Sequence, residues 1–267
     1  MFTVIAERIN MTRKRIREEV RRRNRDFIVD EARKQTQAGA THIDVNAGGD
    51  PSRELDDMKW LVEVVSAATD LPLCLDSANP AVLRAGLAIC NREGAIINSI
   101  TGEKERVDAI LPLVREFKTR VVALTMDDSG MPEDLDGRVK ITADLIDLCA
   151  RAGVAADRIH FDHLIRPAST NPGQAFFVLE AVRETRRRHP DAHFAMGLSN
   201  ISFGIPIRNN LNKAFFAMLI AAGADGAIID PTEPGMMTTL YSARAVMGQD
   251  EYCMEYLTAH RQGKLDS

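Results

Sequence analysis

Short apolar runs recur along this chain, and each one ends in a polar residue. They lie near Thr3–Glu7, His42–Asn46, Leu73–Asp76, Ala95–Asn98, Val121–Met126, Arg158–Asp162, His193–Leu198 and Gly226–Asp230. Most are continuously apolar rather than alternating, which suits strands of a parallel sheet covered by helices. Helical periodicity fills the gaps. "ELDDMKWLVEVVSAATD" (Glu54 to Asp70) puts Leu55, Met58, Leu61, Val62 and Val65 on one stripe. "KERVDAILPLVREF" and "GRVKITADLIDLCARAG" behave likewise. One phrase repeats: "QAGATHIDVNAGG", "RAGVAADRIHFDHL" and "AAGADGAIIDP" each run from a helix end through glycine into a short strand that ends in Asp44, Asp162 or Asp230. Glycine suits such a helix end because it takes the left-handed conformation without a Cβ clash.

Eight strand–helix units in a chain of this length predict an α/β fold, a TIM (β/α)8 barrel. An open doubly wound sheet is the runner-up. It ranks lower because no strand is followed by the phosphate-binding G-x-G-x-x-G. No linker interrupts the series, so residues 1–267 read as a single domain, with a closing helix and tail from about 250 to 267.

In such a barrel the active site lies at the C-terminal strand ends. The residues there are Glu7 and Asn10, Asp44 and Asn46, Asp76 and Ser77, Asn98 and Ser99, Met126 to Asp128, Asp162 and His163, Ser199 and Asn200, and Asp230. Any one of them has a bland reading as the N-cap of the next helix. Asn79-Pro80 is such a cap, with proline at the first helical position, and Ser202 reads as a turn or helix cap. Asp76 precedes its cap and points into the barrel mouth. The joint pattern exceeds capping: nearly every strand ends in a carboxylate or amide. Lysine is missing from the strand ends, and arginine occurs there only as Arg8 and Arg166. That mouth suits a flat heterocycle rich in N–H donors better than a phosphate.

The chain has 267 residues, 45% hydrophobic and 27% charged, with a net charge of -4 and a pI near 5.9. This is ordinary globular composition and argues against a nucleic-acid protein. No apolar run approaches the roughly 18 residues that span a bilayer, and "MFTVIAERIN" does not look like a secretory signal. Cys74, Cys90, Cys149 and Cys253 are scattered and read as reduced thiols, so a cytoplasmic protein is expected. No metal site is expected. His160 and Asp162 share one side of a strand, but His42 and His193 begin theirs and belong to the opposite end. No G-x-S-x-G hydrolase motif is present.

The stretches "LCLDSANP", "AIINSI", "ALTMDDSGMP", "HFDHLIRP" and "MGLSNISFGIPIRNNLN", in that order, resemble the strand-end motifs of the pterin-binding barrels. The chain most resembles the methyltetrahydrofolate:corrinoid protein methyltransferases, from "IAERIN" to Tyr252-Cys253. The resemblance implies that Asp76, Asn98 and Asp162 bind the N–H edge of the pterin. It places Asn200 near N5, which carries the methyl group, and lets Glu7, Asp44, Asn46, Met126, Gly197 and Ser199 complete the pocket. Asn200 and Asp162 are the implied catalytic residues. Phe203 departs from a more polar loop in the acetogen enzyme. The implied reaction moves a methyl group between N5 of tetrahydrofolate and a cobalt corrinoid, with a hydrogen-bond network around Asn200 stabilising charge at N5.

The implied partner is a corrinoid-binding protein, since no D-x-H-x-x-G motif occurs here. A homodimer is implied by resemblance alone. Two alternatives stand beside this reading. A dihydropteroate synthase-like enzyme needs a strand-end lysine and a basic motif after the last strand, and neither is present. A non-catalytic folate-binding subunit would bind without turnover. The basic run Arg13 to Arg25 reads either as a solvated mixed-charge helix or as a contact for the glutamate tail of folate or an acidic partner.

Overall fold

The computed structural model describes residues 1–90 and 92–265. Among these residues nine strands alternate with ten α-helices in the order β1 (Thr3–Asn10), α1 (Lys14–Arg21), α2 (Arg25–Ala38), β2 (His42–Asn46), α3 (Glu54–Ala68), β3 (Leu73–Asp76), α4 (Pro80–Ile89) and β4 (Ile96–Ile100). There follow α5 (Lys104–Glu116), β5 (Arg120–Leu124), α6 (Leu135–Arg151), β6 (Ile159–Asp162), α7 (Gln174–Arg188), β7 (His193–Phe194) and β8 (Met196–Gly197). The chain ends with α8 (Arg208–Ala222), β9 (Gly226–Ile229), α9 (Met236–Val246) and α10 (Met254–Arg261). Every ladder is parallel, in the order β7-β6-β5-β4-β3-β2-β1-β9-β8.

The two ends of that order are halves of one segment. His193 and Phe194 pair with β6, and Met196 and Gly197 pair with β9. Ala195 between them donates to the Phe161 carbonyl at 3.0 Å. The single strand expected over His193–Leu198 therefore bridges both neighbours and closes an eight-position barrel. Gly39 and Gly223 end α2 and α8 at φ 108° and 107°, a region that favours glycine.

The strand alternation sorts the side chains. Outward residues such as Val4, Ile43, Leu75, Ile97 and Phe161 join the apolar layer beneath the helices. Inward residues Ile5, Cys74, Ile96, Val122, Ala195 and Ile228 form a separate apolar plug inside the barrel. Because the side-chain period is two, the next inward positions are Glu7, Asp76, Asn98, Leu124, Gly197 and Asp230, all at the mouth. The columns on β2 and β6 run instead from His42 to Asp44 and Asn46, and from His160 to Asp162. One stripe prediction was wrong in part: Leu55 is 38% exposed, while Met58, Leu61, Val62 and Val65 are buried. No helix among the described residues is long and apolar enough to cross a membrane.

Candidate active site

On the β2–β3 wall Asn46 donates its Nδ2 to Asp76 Oδ2 at 2.8 Å, and its own Oδ1 accepts the Gly48 N–H at 2.8 Å. Asn46 therefore holds Asp76, leaving the other carboxylate oxygen free for a ligand. Asn98 lies beside Asp76 in register. Asp44 is buried beneath them, and its Oδ1 has no hydrogen-bond partner. Burial pushes the Asp44 carboxyl well above its usual range, and the Asp76 charge adds to this. The Cys74 thiol and the Asn98 amide oppose the shift. Burial also raises Asp76, against Asn46 and Arg106.

On the opposite wall Asp162 Oδ1 accepts the Leu164 N–H at 2.7 Å, and Oδ2 accepts the Gly197 N–H at 3.3 Å. Burial pushes this carboxyl up to about 6, opposed by those two N–H groups and by Arg138. Gly197 then leads into the turn of residues 198–202. A Cβ on Gly197 would stand 3.1 Å from Asn200 Nδ2. Glycine here makes room for the Asn200 amide as well as for a ring. Met126 lies past the end of β5, where its carbonyl accepts the Gly102 N–H at 2.7 Å and joins two mouth loops.

An open cavity of about 580 Å³ adjoins this wall. Glu7, Asn10, Arg13, Ser199, Asn200 and Arg208 are among its lining residues. Burial raises the Glu7 carboxyl, with a smaller push from Asp230, while Arg13, Arg208 and Ser199 pull it down. Asp230 is tied to Arg8 at 3.1 Å and to Thr232, so it serves mainly as a structural anchor.

Several expectations need correction. The mouth is not short of cations. Arg13 reaches Glu7 at 3.3 Å and Asp230 at 3.8 Å. Arg208 donates to the Ser199 carbonyl at 2.6 Å and to Ser202 Oγ at 3.0 Å. Ser202 is thus a buried residue of the turn, its Oγ donating to the Ser199 carbonyl at 3.2 Å while accepting from Arg208, and it does not cap a helix. Arg106 donates to the carbonyls of Ser99, Ala78 and Ser77, and fully buried Arg138 donates to that of His163. Strand-end reading misses all four because each stands in a loop or in the first turn of a helix. A signal was present for the last three: a cation at a helix N-terminus opposes the helix dipole, so it needs another partner. His163 does not face the mouth. As the neighbour of inward Asp162 it points outward, where its Nε2 meets Thr185 Oγ1 at 3.0 Å.

Part of the basic run is committed to its own surroundings. Arg15 and Arg22 pair with Glu19, and Arg23 pairs with Asp57 and covers Trp60. Asn79 does cap α4, accepting the Ala81 N–H. Cys74, Cys90 and Cys149 are buried and Cys253 is exposed. No cluster of three or more His, Cys, Asp or Glu among the described residues is placed to hold a metal ion.

The family model described as pterin binding enzyme matches residues 6–230, from the first inward strand to Asp230. The chain belongs to the pterin-binding enzymes. Within them it falls on the methyltransferase branch. It is 34% identical to the methylcorrinoid:tetrahydrofolate methyltransferase of Eubacterium limosum, over 98% of this chain and 97% of that one. It is also 34% identical to methionine synthase of Mycobacterium tuberculosis, over 85% of this chain but only 20% of that protein. Among solved structures, dihydropteroate synthases of Yersinia pestis and Coxiella burnetii superpose with TM-scores of 0.71 and 0.72. They cover 92% and 93% of this chain, and 93% and 94% of their own, at 19% and 17% identity. That likeness shows the barrel alone.

Proposed function

We propose that this pterin-binding enzyme transfers a methyl group between N5 of tetrahydrofolate and the cobalt of a corrinoid carried by a partner protein. The observation that carries the reading is the split of the mouth. One wall offers Asp76 and Asn98, and the facing wall Asp162, as acceptors for a flat donor edge. On the Asp162 wall, above Gly197, stands Asn200, an amide able to donate and accept. The likeness to the Eubacterium limosum enzyme over nearly the full chain supports the same chemistry.

The pterin's amino group and ring N–H meet Asp76 and Asp162, whose oxygens remain available on one side. N5 lies toward Asn200. When the N5–methyl bond breaks, its electron pair stays on N5, which then needs a proton. A strong acid beside N5 would hold that proton at neutral pH only with a tuned pKa. The group nearest N5 is instead the Asn200 amide, which cannot give up a proton outright. Asn200, with water and a neighbouring carboxylate, forms a preorganised hydrogen-bond network that stabilises N5 as it takes a proton from solvent and charge develops there. In the reverse direction the same amide stabilises tetrahydrofolate as the nucleophile, and the N5 proton returns to solvent. A corrinoid supplies the cobalt that gives or receives the methyl group.

The open cavity beside Asn200 leaves room for a large partner to approach, and Phe203 is 65% exposed on the same turn. The reading also includes a homodimer working in the cytoplasm, for which light scattering should give a mass twice that of the chain. The deciding experiment mixes methyltetrahydrofolate with free cob(I)alamin and the protein. Turnover supports the methyltransferase. Binding without turnover makes the chain a folate-binding subunit, and the absence of both binding and turnover would overturn both readings.

A further inference from the structure

Arg138 is among the largest side chains in the molecule with no exposed surface. It stands in the first turn of α6, close to the partial positive charge of that helix end, where a cation is disfavoured. Its Nε donates to the His163 carbonyl at 3.2 Å, one Nη to the Pro132 carbonyl at 3.2 Å, and the other to Gln174 Oε1 at 2.9 Å. These acceptors are all neutral. A guanidinium buried on neutral acceptors is expensive, and an apolar side chain of similar volume is often no worse for stability. Its charge therefore calls for a reason beyond tying three loops together.

The reason lies one residue from its first acceptor. His163 follows Asp162, and the Asp162 carboxylate in turn pins Leu164, a non-glycine residue at φ 58°. The arginine and the carboxylate thus hold opposite sides of one short turn. We propose that Arg138 is a positioning residue for pterin binding, whose buried charge keeps Asp162 ionised so that both carboxylate oxygens remain acceptors. The proposal rests on the reading of Asp162 as a pterin acceptor. A protonated Asp162 would turn one acceptor into a donor and face the pterin N–H groups with the wrong polarity.

The remaining groups around Asp162 do not supply this charge. His160, two residues below it on β6, and His163, beside it, are both pushed down to about 3 by burial and stay neutral. The neighbouring strands offer Leu124 and Gly197, which do not titrate. Asp44 and Asp76, which hang from β2 and β3, are carboxyl groups and supply no positive charge. Glu133, Asp134 and Arg166 act on Arg138 itself. A comparable arginine stands one helix earlier, directed at the preceding strands instead of the following one. Arg106, in the first turn of α5, holds the carbonyls of Ser77 and Ser99 and lowers the pKa of Asp76.

The test follows the Asp162 carboxyl by carbon NMR of aspartate-labelled protein, assigned with Asp162→Asn. The ligand-free wild type, Arg138→Met and Arg138→Lys are titrated from mildly acid to mildly alkaline pH. Tetrahydrofolate affinity is measured over the same range. We expect the methionine variant to titrate Asp162 about one unit or more higher, with folate affinity weakened near neutrality and recovered in alkali. The lysine variant should keep the midpoint near wild type. An unmoved midpoint with affinity lost equally at every pH would leave Arg138 a purely structural role and overturn the proposal. A midpoint that moves while affinity ignores it would uphold the electrostatic hold and overturn the pterin reading of Asp162. Should the methionine variant fail to fold, Arg138→Gln, which keeps hydrogen-bonding capacity without charge, takes its place.

Discussion

The base and the mouth of this barrel are built on the same inward columns, two or four residues apart, yet they treat buried ionisable groups in opposite ways. At the base, His42, His160 and His193 gather below the apolar plug. His193 bonds Asp225 at 2.8 Å and stacks on His160 with ring centroids 5.1 Å apart. His42 is pushed down to about 4 and His160 to about 3, chiefly by burial. At the mouth, burial raises Asp44, Asp76, Asp162 and Glu7. The base is sealed by the neutral forms of His42 and His160. The mouth keeps acceptors unsatisfied in a place a ligand can reach, which is how binding sites differ from cores.

The sharpest way to break this comparison is at Asp162. Replacing it with asparagine removes a charged acceptor and should weaken tetrahydrofolate binding about 10- to 100-fold by calorimetry. The wild-type affinity should also fall as pH drops through about 6, because protonation removes the same acceptor. An affinity flat across that range would contradict the role given to Asp162.

The next effect belongs to the base and concerns stability. A histidine held near 3 in the fold takes up its proton more readily once unfolded, so stability is present above about 6.5 and is lost as pH falls toward 3. Each such histidine contributes a slope of about 1.4 kcal/mol per pH unit in that window. A carboxyl raised to about 6 has the opposite sign: stability falls as pH rises from about 4 to about 6. His160→Leu should therefore flatten the acid limb of the stability curve in denaturant titrations. It should cost little at neutral pH, since both ring nitrogens of His160 lack partners. Folate binding should be unchanged, because the plug separates base from mouth.

The smallest effect is expected at Gly197. An alanine there would press on Asn200 Nδ2, so methyl transfer should slow about 10-fold through misplacement of the amide. Thermal stability should hold near wild type, while pterin affinity should fall as well, since the added methyl group also takes space meant for the ring. A variant as fast as wild type would show that Asn200 needs no such space.

The barrel was legible because its signals are local. Apolar runs, helical stripes and glycines at helix ends are written in consecutive residues, and β2, β3 and β6 end where their last polar residue predicts. The carboxylates and amides of the mouth were legible for the same reason, since a strand end implies a position. The places of the arginines were not, because Arg13 and Arg208 reach the mouth, and Arg106 and Arg138 brace its loops from behind, along paths that only the packed structure defines. The role of Ser202 was hidden likewise, since its Arg208 partner lies six residues away around an irregular turn. His163 was misplaced by one step of the strand alternation, which continues past the end of β6.

The central claim is that Asn200 acts on N5 during methyl transfer rather than merely holding the pterin. Single-turnover transfer from methyltetrahydrofolate to free cob(I)alamin, measured for wild type and Asn200→Ala beside the folate Kd of each, tests it directly. The account predicts a wild-type rate that falls on the order of 100-fold in the variant while the Kd changes little. Equal rates in the two proteins, or a loss found only in Kd, would contradict it.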